Sequence, residues 1–213
     1  MIYKLIIFVF LLISIISCKS EYKKMSKNIS FEEQYKIFQD LEFKLNEGVT
    51  IQDIKRWEND SFLKEPFSLL YVTLGQDIER EPWTHITNKV WYFDTECIVE
   101  NGDYVNILKR IQIMSNNQLL FINLKDEINI FKKTANVSFV LNNKEYNIKL
   151  KVKDDWVDER LFSELVKIIS KNNLNGNLTY FNTGDQCCVI GWATEKELNE
   201  IRSKTGLKVE WLK

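Results

Sequence analysis

The sequence contains few of the residues that mark disordered, fibrous or nucleic-acid-binding chains. Only two of its 213 residues are proline and seven are glycine, too few for a disordered or fibrous composition. Neither sign of charge dominates, because 29 Lys and Arg residues are balanced by 30 Asp and Glu residues. Binding a nucleic-acid backbone requires clustered excess positive charge. The balance therefore argues against a nucleic-acid partner.

Sequence motifs for catalysis are also missing. The chain contains no GxSxG, HExxH, phosphate-loop or dinucleotide-binding pattern. It has no CxxC spacing, so a metal site would have to combine ligands from distant segments. His85 is the only histidine, and we expect it to be exposed or hydrogen-bonded on a strand rather than catalytic. These observations predict no cofactor and no metal, and they favour a binding protein over an enzyme.

The hydrophobic content, by contrast, is ample for a folded protein. Hydrophobic residues make up 45% of the chain and aromatic residues 13%. Such a composition is typical of a globular protein with a packed core. The length fits one domain, or two small ones that share a core.

The N-terminal segment has the features of a secretory signal. Lys4 precedes a predominantly apolar run over residues 5–17. As a helix at about 1.5 Å per residue, this run would cover about 20 Å, which is short of the roughly 30 Å hydrocarbon core of a bilayer. The run is therefore predicted to be a signal peptide, with an uncleaved anchor or a soluble secreted protein as the alternatives.

The end of this segment, Ile15-Ile16-Ser17-Cys18, resembles the lipobox of bacterial lipoproteins. In that family the cysteine thiol receives a diacylglyceryl group, the signal is cleaved before the cysteine, and the new amino terminus is usually acylated. The resemblance implies an envelope protein that is anchored to a membrane through lipid on Cys18. Lys19 implies the outer rather than the inner membrane under the sorting rule of enteric bacteria. Residues 18–29 are then a flexible, lysine-rich tether, and residues 30–213 a single folded domain.

Capping patterns mark the start of helices in the first part of that domain. Ser30 followed by Glu33 is a capping box, and apolar residues recur at helical spacing towards Gly48, which is predicted to end the helix. Thr50 begins a short second helix. The apolar run at residues 67–74 fits a helix or a strand, and we favour a helix.

Strand patterns are prominent in the later part of the chain. A buried strand is predicted at residues 90–93, and a helix after Gly102. Apolar and polar residues alternate over residues 135–152 on both sides of a turn at Asn142-Asn143, which predicts a hairpin with one apolar face. The predicted order from there is strand, strand, helix, strand, strand, helix, strand. This order predicts the α+β class, with a mainly antiparallel sheet and helices packed on it.

Three cysteines remain if Cys18 carries lipid. Outside the reducing cytosol, a disulfide between Cys97 and either Cys187 or Cys188 is one expectation. Buried free thiols that pack as small hydrophobic residues are the slightly favoured alternative.

Two acidic segments and two tryptophans provide the candidate binding residues. Carboxylates before a helix commonly cap it, and the alternatives are a Ca²⁺ site or a pair of catalytic carboxylates. A tryptophan ring beside carboxylates suits a protein-binding patch, although burial in the core is the commoner role. The candidates are Asp94, Glu96, Asp154, Asp155, Asp158, Trp83 and Trp156.

The sequence as a whole predicts a lipid-anchored envelope protein whose folded part is a non-catalytic, protein-binding module of the immunity or accessory type. The alternative is an envelope hydrolase that uses paired carboxylates, such as Asp94 with Glu96 or those between Asp154 and Asp158. Binding is favoured because no catalytic motif accompanies these acids.

Overall fold

The computed structural model describes residues 29–213, which contain seven helices and nine strands. The predicted signal, Cys18 and the tether up to residue 28 lie outside the described residues. The helices are α1 (Phe31–Asp40), α2 (Ile51–Ile54), α3 (Asn59–Lys64), α4 (Ser68–Leu74), α5 (Asp103–Met114), α6 (Arg160–Lys171) and α7 (Glu195–Thr205). The strands are β1 (Asp77–Ile78), β2 (Thr84–His85), β3 (Val90–Asp94), β4 (Ile122–Asn129), β5 (Thr134–Leu141), β6 (Lys144–Lys151), β7 (Asn177–Asn182), β8 (Cys187–Ala193) and β9 (Glu210–Trp211).

The strands pair in three antiparallel sheets, which confirms the predicted α+β class. The four-stranded sheet has the order β3-β8-β7-β9, the three-stranded sheet β4-β5-β6, and the smallest β1-β2. The predicted hairpin at residues 135–152 is confirmed as β5 and β6. It pairs with β4 and not with the later strands, so the chain forms separate sheets rather than one.

The four-stranded sheet separates two hydrophobic cores. On one face, Val189 of β8 packs with side chains from α1, α4 and α7. On the other face, Cys188 and Ile190 pack with side chains from α5, α6 and the three-stranded sheet. Because β8 is covered on both faces, nearly all of its residues are buried, and its sequence is a continuous apolar run rather than an alternating one.

The first helix is shorter than predicted. Its capping box is confirmed, since the Ser30 backbone N–H donates to the Glu33 carboxylate and Ser30 Oγ accepts from the Glu33 N–H. The helix nevertheless ends at Asp40, and Gly48 lies in a later turn. The chain turns early because Phe43, which is fully buried, packs edge-on against Phe38 of α1.

Candidate functional site

The two acidic segments lie side by side, although they are about sixty residues apart in the sequence. Glu96 and Trp156 form an isolated antiparallel bridge. The Val157 N–H donates to the Thr95 carbonyl at 2.8 Å, and the Ile98 N–H donates to the Asp155 carbonyl at 2.8 Å. The segment after β3 therefore pairs with the loop between β6 and α6, and this pairing brings Trp156 next to Glu96.

Two of these carboxylates hold the backbone in place. Asp94 accepts a hydrogen bond from the Glu96 N–H at 2.9 Å. Asp158 accepts from the Lys151 N–H at 2.7 Å and from the Arg160 N–H at 3.0 Å, which joins the end of β6 to the start of α6. Asp158 therefore accepts from the first N–H of α6, although the residue at the N-cap position is Glu159.

A groove of about 510 Å³ opens beside Trp156. It lies over the face of the four-stranded sheet that packs on α6, beside the two-residue strand β9. Trp156 is 40% exposed, and its neighbours in the groove wall are predominantly apolar. The apolar and aromatic residues that line the groove include Phe93, Trp156, Val157, Phe162, Tyr180, Ile190, Trp211 and Leu212.

Negative charge predominates around this groove. Glu159 and Glu210 line it together with a single cation, Lys213. Burial raises the pKa of Tyr180, and Cys188 and Glu210 raise it further, so the phenol stays protonated and can donate a hydrogen bond. Asp154 and Asp155 precede Trp156 in the chain but do not line the groove.

A second groove of about 480 Å³ contains the only histidine. His85 Nδ1 is hydrogen-bonded to the Asp77 carboxylate, and Cys97 lies in the wall of the same groove. Burial raises the pKa of Cys97 to about 12, with further contributions from Asp103, Asp94 and Asp155. Since the thiolate is the nucleophilic form, the protonated Cys97 is poorly suited to catalysis.

The candidate carboxylates do not converge in one cleft. Asp94 lines the second groove, whereas Asp158 lines a polar groove of about 630 Å³ beside α6. Glu96, Asp154 and Asp155 line none of these three grooves. A hydrolase that uses two carboxylates needs both of them on one substrate.

The structure separates the two candidate tryptophans. Trp83 is 64% exposed in the loop between β1 and β2, and it lines none of the three grooves. All six tryptophans lie in the described part of the chain, and only Trp192 is buried. Trp57 is also exposed, which the sequence did not indicate.

The three described cysteines are free thiols. Cys188 is buried, and Cys97 and Cys187 are half-buried.

Within residues 29–213, no group of three or more His, Cys, Asp or Glu side chains is arranged to hold a metal ion. No helix in this part of the chain is both long and apolar enough to cross a membrane.

Similarity to known proteins was sought at three levels. Comparison of the chain with protein-family models, with curated proteins and with solved structures finds no match in any of the three.

Proposed function

We propose that the protein is a lipid-anchored component of the bacterial cell envelope that binds another protein through the groove beside Trp156. The observation that supports this proposal is a half-exposed tryptophan on an apolar groove with carboxylates at its rim. Tryptophan and tyrosine are enriched among the residues that dominate binding energy at protein interfaces.

The partner is inferred to be a protein segment with an apolar anchor residue flanked by Lys or Arg. The apolar wall, which includes Phe162 and Leu212, would contact the anchor side chain. Glu159 and Glu210 at the rim would attract the flanking cations, and complementary charge of this kind raises association rates and excludes acidic partners.

The hydrolase alternative has less support. Asp94 and Asp158 lie in different grooves, and both are engaged in backbone hydrogen bonds. The half-buried Cys97 thiol does not provide another nucleophile, because its pKa is raised to about 12.

The proposal can be tested by selecting binders from a displayed library of random peptides on the full-length protein. We expect wild-type protein to enrich peptides in which an aromatic or large aliphatic residue is flanked by Lys or Arg. An enriched peptide, made synthetically, is expected to bind Trp156→Ala about 30-fold more weakly in calorimetry, because hot-spot tryptophans contribute about 2 kcal/mol or more.

Trp83→Ala is the matched control, since Trp83 is more exposed than Trp156 but lies outside the groove. We expect it to bind the peptide as wild type does. Thermal melting of all variants by circular dichroism checks that they fold. Equal binding by Trp156→Ala, or enrichment of peptides without basic residues, would contradict the proposal.

A further inference from the structure

The turn between β4 and β5 holds a phenylalanine entirely in solvent. Phe131 is 101% exposed, and the neighbouring Ile130 is half-exposed. The turn is ordered by two hydrogen bonds, from the Lys133 N–H to the Ile130 carbonyl at 3.2 Å and from the Lys132 N–H to Asn129 Oδ1 at 2.8 Å. A large apolar side chain that is exposed to solvent lacks the stabilisation that burial would provide. Burial of this side chain against a partner or a bilayer would recover that stabilisation.

Four lysines lie at the end of the sheet that carries this turn. Lys132 and Lys133 belong to the turn itself. Lys151 is paired with Thr134 at the start of β5, and the Val152 N–H donates to the Lys133 carbonyl at 3.1 Å, which brings Lys153 to the same end of the sheet. Asp154 and Asp155 follow Lys153 directly, and the Asp158 carboxylate accepts from the Lys151 N–H at 2.7 Å, so acids also lie at this end of the sheet. The turn itself combines exposed apolar residues with Lys132 and Lys133 and contains no acidic residue.

We propose that this turn is a membrane contact, in which Phe131 enters the acyl boundary of a bilayer and the lysines bind anionic headgroups. Phe with Lys on the polar side is the combination found in segments that lie at the membrane interface. Lysine side chains are long enough to reach headgroups while an adjacent apolar residue inserts. A single phenylalanine gives weak binding, so the contact would orient a protein that is held to the membrane by other means.

A protein partner fits this turn less well than a bilayer does. Lysine is depleted at protein interfaces, and hot spots lie in closely packed pockets rather than on protruding turns. A stable interface buries about 800 Å² on each partner, far more than one turn offers. The contact goes beyond the binding role proposed for the groove and does not depend on Trp156.

The test places the photo-reactive residue p-benzoylphenylalanine at Phe131 of the full-length protein, in vesicles of phosphatidylcholine and phosphatidylglycerol. We expect irradiation to yield phospholipid adducts that mass spectrometry maps to this residue. The same probe at Leu120 is the matched control. Leu120 is 50% exposed and precedes β4, so that all eight residues of this strand, about 26 Å at about 3.3 Å per residue, lie between it and the turn. We expect no phospholipid adduct there.

A second arm tests the role of the lysines. The double variant Lys132→Gln and Lys133→Gln also carries the probe at Phe131. In anionic vesicles we expect it to yield up to about 30-fold fewer phospholipid adducts than the protein with both lysines. In vesicles of phosphatidylcholine alone the lysines are expected to make no difference.

Three results would overturn the membrane contact. Equal adduct yields at Leu120 and Phe131 would mean that an anchor elsewhere in the chain brings every surface to the lipid. Absence of lipid adducts at Phe131, or protein adducts in place of lipid adducts in native membranes, would assign the turn to another role. None of these outcomes bears on the peptide selection that tests the groove.

Discussion

Replacement of Arg110 by alanine is expected to lower the free energy of unfolding by about 4 kcal/mol. Arg110 is 4% exposed on α5, and its guanidinium donates to the Thr87 carbonyl at 2.7 Å, the Val90 carbonyl at 2.9 Å and Asn88 Oδ1 at 3.1 Å. These bonds attach α5 to the chain just before and at the start of β3. Alanine removes all three donors and leaves a cavity between the helix and the sheet.

The burial of charge at Arg110 opposes this loss but does not cancel it. Burial lowers the pKa of Arg110 to about 10, so the side chain remains protonated near neutral pH at some cost in desolvation. Each hydrogen bond from a charged donor contributes about 1.5–3 kcal/mol, and three of them exceed that cost. Arg110→Met, which keeps much of the volume but has no donor, is therefore expected to lose about 2 kcal/mol.

Urea unfolding followed by circular dichroism measures both changes. Lys109→Ala is the control, because Lys109 is the preceding residue of α5 and is exposed. We expect this variant to lie within about 0.5 kcal/mol of wild type. If Arg110→Ala is as stable as Lys109→Ala, the guanidinium does not tie α5 to the sheet.

Helix starts were predictable because their signals are local. Ser30 with Glu33 and Thr194 with Glu197 each form the reciprocal hydrogen bonds of a capping box within four consecutive residues. The end of α1 at Asp40 was not predictable in this way, because it depends on the burial of Phe43 against Phe38. Tertiary packing overrode the local pattern there.

Strand β4 was missed for a related reason. Burial does alternate along this edge strand, with Leu124, Asp126 and Ile128 on the inner side. The inner position in the middle is a carboxylate, which accepts from the Gly102 N–H at 2.8 Å, so the apolar side of residues 122–129 is interrupted in the sequence. Only pairing with β5 identifies the strand.

The candidate binding surface was predictable in its parts but not in its assembly. Trp156 and the acids beside it stand out in the sequence, whereas Phe162 and Trp211 read as ordinary core positions. Their convergence in one groove depends on the pairing of β9 with β7 and on the bridge between Glu96 and Trp156. Pairings over such sequence separations leave no local signal.

Replacement of Cys18 by alanine is expected to abolish membrane anchoring by lipid. We propose that the thiol of Cys18 carries a diacylglyceryl group, because Ile15-Ile16-Ser17-Cys18 resembles a lipobox and the preceding apolar run is too short to span a bilayer. Several acyl chains on one residue give stable anchoring, whereas a single chain gives only marginal binding. The variant should therefore keep residues 1–17 uncleaved and carry no acyl chains.

Intact mass spectrometry of protein extracted from native membranes measures this directly. The wild-type mass is expected to equal that of the chain starting at Cys18 plus its acyl groups, and treatment with detergent alone should release the protein. Cys97→Ala is the control, since Cys97 is half-buried within the fold and should leave both cleavage and acylation unchanged. An unmodified wild-type mass would refute the anchor. The groove beside Trp156 would then belong to a protein that reaches its partner in solution, and Cys18 would become a fourth free thiol able to form a disulfide.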